Sequence, residues 1–148
     1  MCKIIVMANQ KGGVAKTSST RNLAYSLAEL GKKVLAVDFD PQTNLTISFG
    51  VAPAALQETA ASLMMKLVMD EALPEKESCI LNIGKVDLLP SKKTLTVAEV
   101  NLLIERKDDC LAKLLAPLRA DYDYILVDTG PSLGSLTINA FTAADEII

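Results

Sequence analysis

The sequence predicts an α/β fold, a mostly parallel sheet with helices on both faces. Three observations carry this. Apolar runs at 3–8, 33–40 and 122–130 are near-continuous, as strands buried on both faces must be. Segments of helical periodicity alternate with them. The second and third runs end in aspartate, and the first runs into a glycine-rich loop, so the polar residues collect at strand tips. No linker or repeat divides the 148 residues, which are read as one domain, 1–148, with enough length for a core.

Each element follows from its residues. "KIIVMA" (3–8) is a strand, and after the loop "NQKGGVAK" the stretch 17–30 places Leu23, Leu27 and Leu30 on one helical stripe. Gly31 is its C-cap candidate. "KVLAVDFD" (33–40) is the second strand, ending in Asp38 and Asp40. Residues 57–73 read as a helix ended by Pro74, "SCILNI" (78–83) as an edge strand, and 85–91 as another strand. "TVAE" (96–99) has capping-box spacing, which predicts a helix from there through Ile104. A further helix is expected over 108–122, a strand over 122–130 ending in Asp128, a helix over 132–144, and a strand beginning at "DEII".

Composition narrows the chemistry. Half the residues are hydrophobic and 22% are charged, which suits a globular chain. No apolar run reaches the ~18–20 residues of a membrane span. The N-terminus reads as a buried strand rather than a signal peptide. Cys2, Cys79 and Cys110 are far apart and histidine is absent, which argues against disulfides, a His/Cys zinc site and His-dependent nucleophilic catalysis. Three reduced cytosolic thiols are expected. Residues 1–50 hold six Lys/Arg against three acids, and the remainder nine against fifteen. A positive first third suits a small polyanion, not a basic nucleic-acid face.

The loop supplies what a phosphate needs. Backbone amides of Gly12, Gly13, Val14, Ala15, Lys16, Thr17 and Ser18 would face an anion at a helix N-terminus. Lys16 can reach the β- and γ-phosphates, and the Thr17 hydroxyl is placed to ligate magnesium. Asp38, Asp40 and Asp128, delivered to one crevice by parallel strands, suit a hydrated hard cation. A tight strand-to-helix turn and plain strand-end turns are the bland alternatives.

"KGGVAKTS", "VDFDPQTN" and "VDTGPSLG", in this order, resemble the deviant Walker A, A′ and Walker B segments of ParA/Soj-type partition ATPases, P-loop NTPases related to MinD. The resemblance runs along essentially the whole chain and includes "LLPS" and "INAFTAADEII". It implies ATP and magnesium as cofactors. It assigns Lys11 as the signature lysine reaching the partner's nucleotide, Lys16 and Thr17 as Walker lysine and metal ligand, and Asp40 as the water-orienting acid. Asp38 supports the site beside the metal, and Asp128 holds the metal's water shell. It further implies slow ATP hydrolysis, an ATP-dependent homodimer, non-specific DNA and a ParB-like partner. The expected setting is a cytoplasmic, nucleoid-associated role in chromosome or plasmid partitioning, with no membrane. Family members are longer, so the chain reads as the N-terminal portion, truncated at its C-terminus.

Three positions depart from the family pattern. Ala15 replaces the glycine before the Walker lysine; were its φ positive, alanine would cost roughly 1–2 kcal/mol. Thr43 stands where the family usually has glycine, and Gly130 where it usually has proline. The alternatives are a regulatory module that holds nucleotide with little turnover because of Ala15, and a MinD-like membrane-associated ATPase. A relative of the nitrogenase iron protein is rejected, because Cys110 falls in a predicted helix with no second suitable thiol.

Overall fold

A computed structural model describes residues 1–8, 14–131 and 133–148, and for Val14 and Ala15 the backbone alone. The chain runs β1 (Lys3–Met7), α1 (Val14–Glu29), β2 (Val34–Phe39), α2 (Asn44–Ser48) and α3 (Ala60–Val68). It continues through β3 (Leu81–Ile83), β4 (Val86–Leu89), α4 (Leu95–Ile104) and α5 (Cys110–Leu115). It closes with β5 (Tyr124–Thr129), α6 (Ser135–Ala143) and β6 (Glu146–Ile147).

The strands form one sheet in the order β3-β4-β2-β5-β1-β6. Every described neighbour pair is parallel except β3 with β4. β5 is inserted between β1 and β2, so the carboxyl ends of β1, β2 and β5 open side by side, where parallel α/β sheets hold ligands. Register puts Asp38 opposite Asp128, and Met7 opposite Asp128 on the other side.

Alternation divides the core in two. Ile5, Met7, Val34, Ala36, Leu88 and Leu126 pack with Ala24, Leu45 and Phe49 of the α1–α2 side. Ile4, Val6, Leu35, Val37, Ile125 and Val127 pack with the helices α3 to α6. The even-numbered positions of β2 and β5 face α1, and this parity aims Asp38 and Asp128 at that helix.

The three long apolar runs and Gly31 fall as the sequence predicts. Gly31 takes φ +84 and α1 ends in a Schellman motif, with Lys32 N–H on Leu27 O and Gly31 N–H on Ala28 O. The helices differ in their ends. The predicted 57–73 helix shrinks to 60–68: Thr59 and Ser62 form a capping box at its start, and Asp70 takes φ +56 just beyond its end. The predicted capping box at 96–99 is not used. α4 starts at Leu95, and Glu99 Oε2 instead accepts from Leu136 N–H at 3.5 Å. The 108–122 helix divides into α5 and a 3-10 turn over Ala116–Ala120, because Pro117 lacks the N–H that would continue the ladder. Helix α2 was not foreseen, and α6 begins at Ser135 rather than 132, a residue outside those described. At the sheet edge, Arg119 donates to both oxygens of Asp145 (2.9 and 3.2 Å), and Asp145 accepts from Ile4 N–H at 2.8 Å, fixing β6 beside β1.

Candidate nucleotide site

Of the predicted site residues that the structure describes, Lys16, Thr17 and Asp128 meet at the end of β5. Thr17 Oγ1 donates to Asp128 Oδ2 at 2.8 Å. One turn along α1, Thr20 Oγ1 lies 3.3 Å from Asp128 Oδ1 and 2.8 Å from Lys16 O. The Lys16 ammonium donates to the Thr129 carbonyl. Thr129 Oγ1 in turn donates to Met7 O at 2.9 Å, tying the tips of β5 and β1 together.

Asp40 lies just past β2. Its Oδ1 accepts from Gln42 N–H at 3.0 Å, and its carbonyl accepts from Thr43 N–H at 3.0 Å. Its carboxylate fits into space left by Gly130: a Cβ there would stand 3.1 Å from Oδ1 and 3.3 Å from Cγ. Thr43 takes φ +60, a left-handed conformation that a β-branched residue adopts only under strain. That conformation gives the physical reason for glycine at this position in the family pattern.

Asp38 is turned another way. It is fully buried, and its two oxygens accept from Thr46 N–H (2.9 Å), Thr46 Oγ1 (2.6 Å) and Asp40 N–H (3.3 Å). Its carboxylate thus braces the start of the 40–46 segment. Burial pushes the Asp38 carboxyl up to about 7, against the Thr46 hydrogen bonds, and the Asp128 charge adds to the rise. Asp128 is raised to about 6, again chiefly by burial. The Thr17 hydrogen bond and the Lys16 charge oppose that rise, and Asp40 reinforces it. Neighbouring strands thus each deliver a buried carboxyl group to this end of the sheet, with the Lys16 charge acting on Asp128.

The donor set suits a hard ion: a hydroxyl and a carboxylate in contact, without sulfur or imidazole. Among the described residues no group of three or more His, Cys, Asp or Glu side chains could hold a metal. A hydroxyl and a carboxylate are donor types that magnesium takes beside waters and substrate phosphates.

Lys11, Gly12 and Gly13 lie outside the described residues. Ala15 lies in the first turn of α1, a right-handed helical position, so the left-handed penalty considered for alanine does not arise. Ser18 follows in the same helix and is exposed. The hydroxyls of Thr20, Thr46, Ser91 and Thr129 were missed as site partners. Thr20, three residues after Thr17 on one helical face, is the one that spacing alone could have found.

A family profile described as "AAA domain" (AAA_31) matches residues 2–148. Sporulation initiation inhibitor protein Soj of Bacillus subtilis is 38% identical over 149 residues, covering 100% of this chain and 57% of Soj. A Mycobacterium smegmatis structure described as cobyrinic acid a,c-diamide synthase with bound ATP analog and magnesium superposes with TM-score 0.90 at 35% identity. It covers 99% of this chain and 59% of that one. A putative plasmid partition protein from Borrelia burgdorferi bound to AMPPNP gives TM-score 0.82 at 33% identity, covering 98% and 60%. The chain spans about half the length of the curated relatives it matches.

Proposed function

The chain belongs to the AAA_31 family of AAA domains, of the ParA/Soj partition-ATPase type, and from that premise we propose that it works as a nucleotide switch in partitioning. As one domain, it binds Mg-ATP and hydrolyses it slowly to ADP and phosphate. The single observation that carries the reading is the Thr17–Asp128 contact beside Lys16 at the tip of β5.

The roles follow from charge and reach. The Lys16 ammonium, now on a backbone carbonyl, exchanges that neutral acceptor for phosphate oxygens, a charge-assisted gain. Amides from Gly12 to Ser18 cradle the phosphates. Thr17 and Asp128 would hold the cation and its water shell, while Asp38 supports the site from the neighbouring strand by bracing the Asp40 backbone and Thr46. Magnesium, when bound, neutralises charge that spreads over the transferred phosphoryl group. Asp40 orients the attacking water, and Lys11 reaches the nucleotide of a second copy in an ATP-dependent homodimer. Non-specific DNA and a ParB-like protein are the proposed partners, in a cytoplasmic, nucleoid-associated setting.

Calorimetry with Mg-ATP, paired with phosphate-release assays with and without DNA and a ParB-type partner, tests the proposal. Binding heat with phosphate release supports it. Heat without release under every condition points to the regulatory module, and no heat at all overturns both readings. No helix among the described residues is long and apolar enough to cross a membrane.

A further inference from the structure

Behind Asp40 runs a closed ring of hydrogen bonds. Asp40 N–H donates to Asp38 Oδ1 (3.3 Å), and Asp38 Oδ2 accepts from the Thr46 hydroxyl (2.6 Å). The same Thr46 oxygen accepts from Ser91 N–H (2.9 Å). Ser91 Oγ then donates to the Asp40 carbonyl (3.0 Å), which returns the ring to its start. Asp38, Thr46 and Ser91 are fully buried, and Asp40 is 6% exposed.

This ring has a fixed sense. The Thr46 hydroxyl gives its proton to Asp38 and uses a lone pair for Ser91, so it cannot rotate without losing one bond. Ser91 sits just beyond β4, and it ties the tip of that strand to the Asp40 backbone. A buried hydroxyl costs stability unless bonded, and an alanine would fill nearly the same volume. The geometry is therefore informative about position. The backbone of Asp40 is held from the β4 side, and its carboxylate is held by Gln42 N–H in the space beside Gly130.

We infer that Ser91 is a positioning residue for phosphoryl transfer, holding Asp40 in place together with Thr46 and without touching the nucleotide. For its turnover arm this rests on the ATPase reading above. Ser91→Ala lowers kcat roughly 2- to 12-fold, the scale of one net hydrogen bond, and changes the Kd for Mg-ATP less than about twofold. Thr46→Val does the same, and Thr46→Ser, which keeps the hydroxyl, restores kcat to within about twofold.

Amide hydrogen exchange in the nucleotide-free protein reads the ring without turnover. Ser91→Ala speeds exchange at Asp40 and Thr43 by roughly tenfold and leaves Leu35 to Val37 unchanged. Unchanged exchange at Asp40 and Thr43 overturns the inference, even if the wild type proves to bind nucleotide without hydrolysing it. So does a kcat loss matched by an equal loss of affinity, or a Thr46→Ser variant as slow as Thr46→Val. A wild type that hydrolyses nothing while the exchange result holds sinks the ATPase reading and keeps the ring as the device that positions Asp40.

Discussion

Thr17 Oγ1 and Asp128 Oδ2, 111 residues apart in sequence, lie 2.8 Å apart in the buried floor of the site. The hydroxyl donates to a carboxylate that burial raises to about 6, so the contact holds Asp128 nearer its charged form. Thr17→Val removes that donor at nearly constant volume. We expect Mg-ATP affinity to fall by about tenfold or more, with Thr17→Ser close to wild type; calorimetry at fixed magnesium measures both.

The two buried carboxylates set a pH slope for the metal-free protein. Asp38 and Asp128 are raised to about 7 and about 6, above the ordinary carboxylate value of 3.8 that the unfolded chain has. Between these limits the native state binds more protons than the unfolded one, so their contribution to stability is complete below about pH 4 and is lost as pH rises toward 7. Urea unfolding in chelator at pH 5 and pH 7.5 tests this. In Asp38→Asn that loss shrinks by a few kcal/mol at most.

Thr43 and Gly31 form a matched pair of left-handed positions, with φ +60 and +84. Thr43→Gly relieves roughly 1–2 kcal/mol of steric cost, partly offset by about 0.5–1 kcal/mol of lost chain entropy. The net expectation is a gain of up to about 1 kcal/mol. Gly31→Ala, with open space around the new methyl but an unfavourable φ, loses about 1 kcal/mol. Urea midpoints moving in the same direction for both would contradict this account.

Gly130→Ala separates stability from chemistry. The atoms nearest the new methyl are those of the Asp40 carboxylate, which yields a few tenths of an ångström, so unfolding free energy should change by less than about 1 kcal/mol. Displacing the carboxylate proposed to orient the attacking water should still cost several-fold in kcat, because small misplacements weigh heavily on positioning catalysis. Phosphate release and thermal melting on the same preparation check the two halves together.

The sheet was legible because β1, β2 and β5 are continuous apolar runs, β2 and β5 with acids at their tips and β1 leading into the glycine-rich loop, a pattern written in adjacent residues. The candidates Asp40 and Asp128 come from the strand tips and Lys16 and Thr17 from the glycine-rich loop, and the structure brings Lys16, Thr17 and Asp128 together. Ser91 could not be placed beside Thr46, 45 residues earlier in the chain, because that contact depends on how β4 lies against β2, and Thr46 reaches Asp38 only through the fold of α2. Helix α2 spans five residues, too few for a periodic signal. The α3 cap uses Ser62 where the usual pattern has Glu or Gln, and the helical pattern over 108–122 runs through Pro117, which ends α5.

The pairing of Asp38 with Asp128 across β2 and β5 makes frame alignment a chemical variable. Inserting one residue early in either strand would exchange the two faces of that strand, sending its acid toward the layer of α3 to α6 and bringing Phe39 or Thr129 toward α1. Such a chain would bury apolar side chains where the phosphate chemistry is proposed, so drift in strand length is constrained by the ligand as well as by the core.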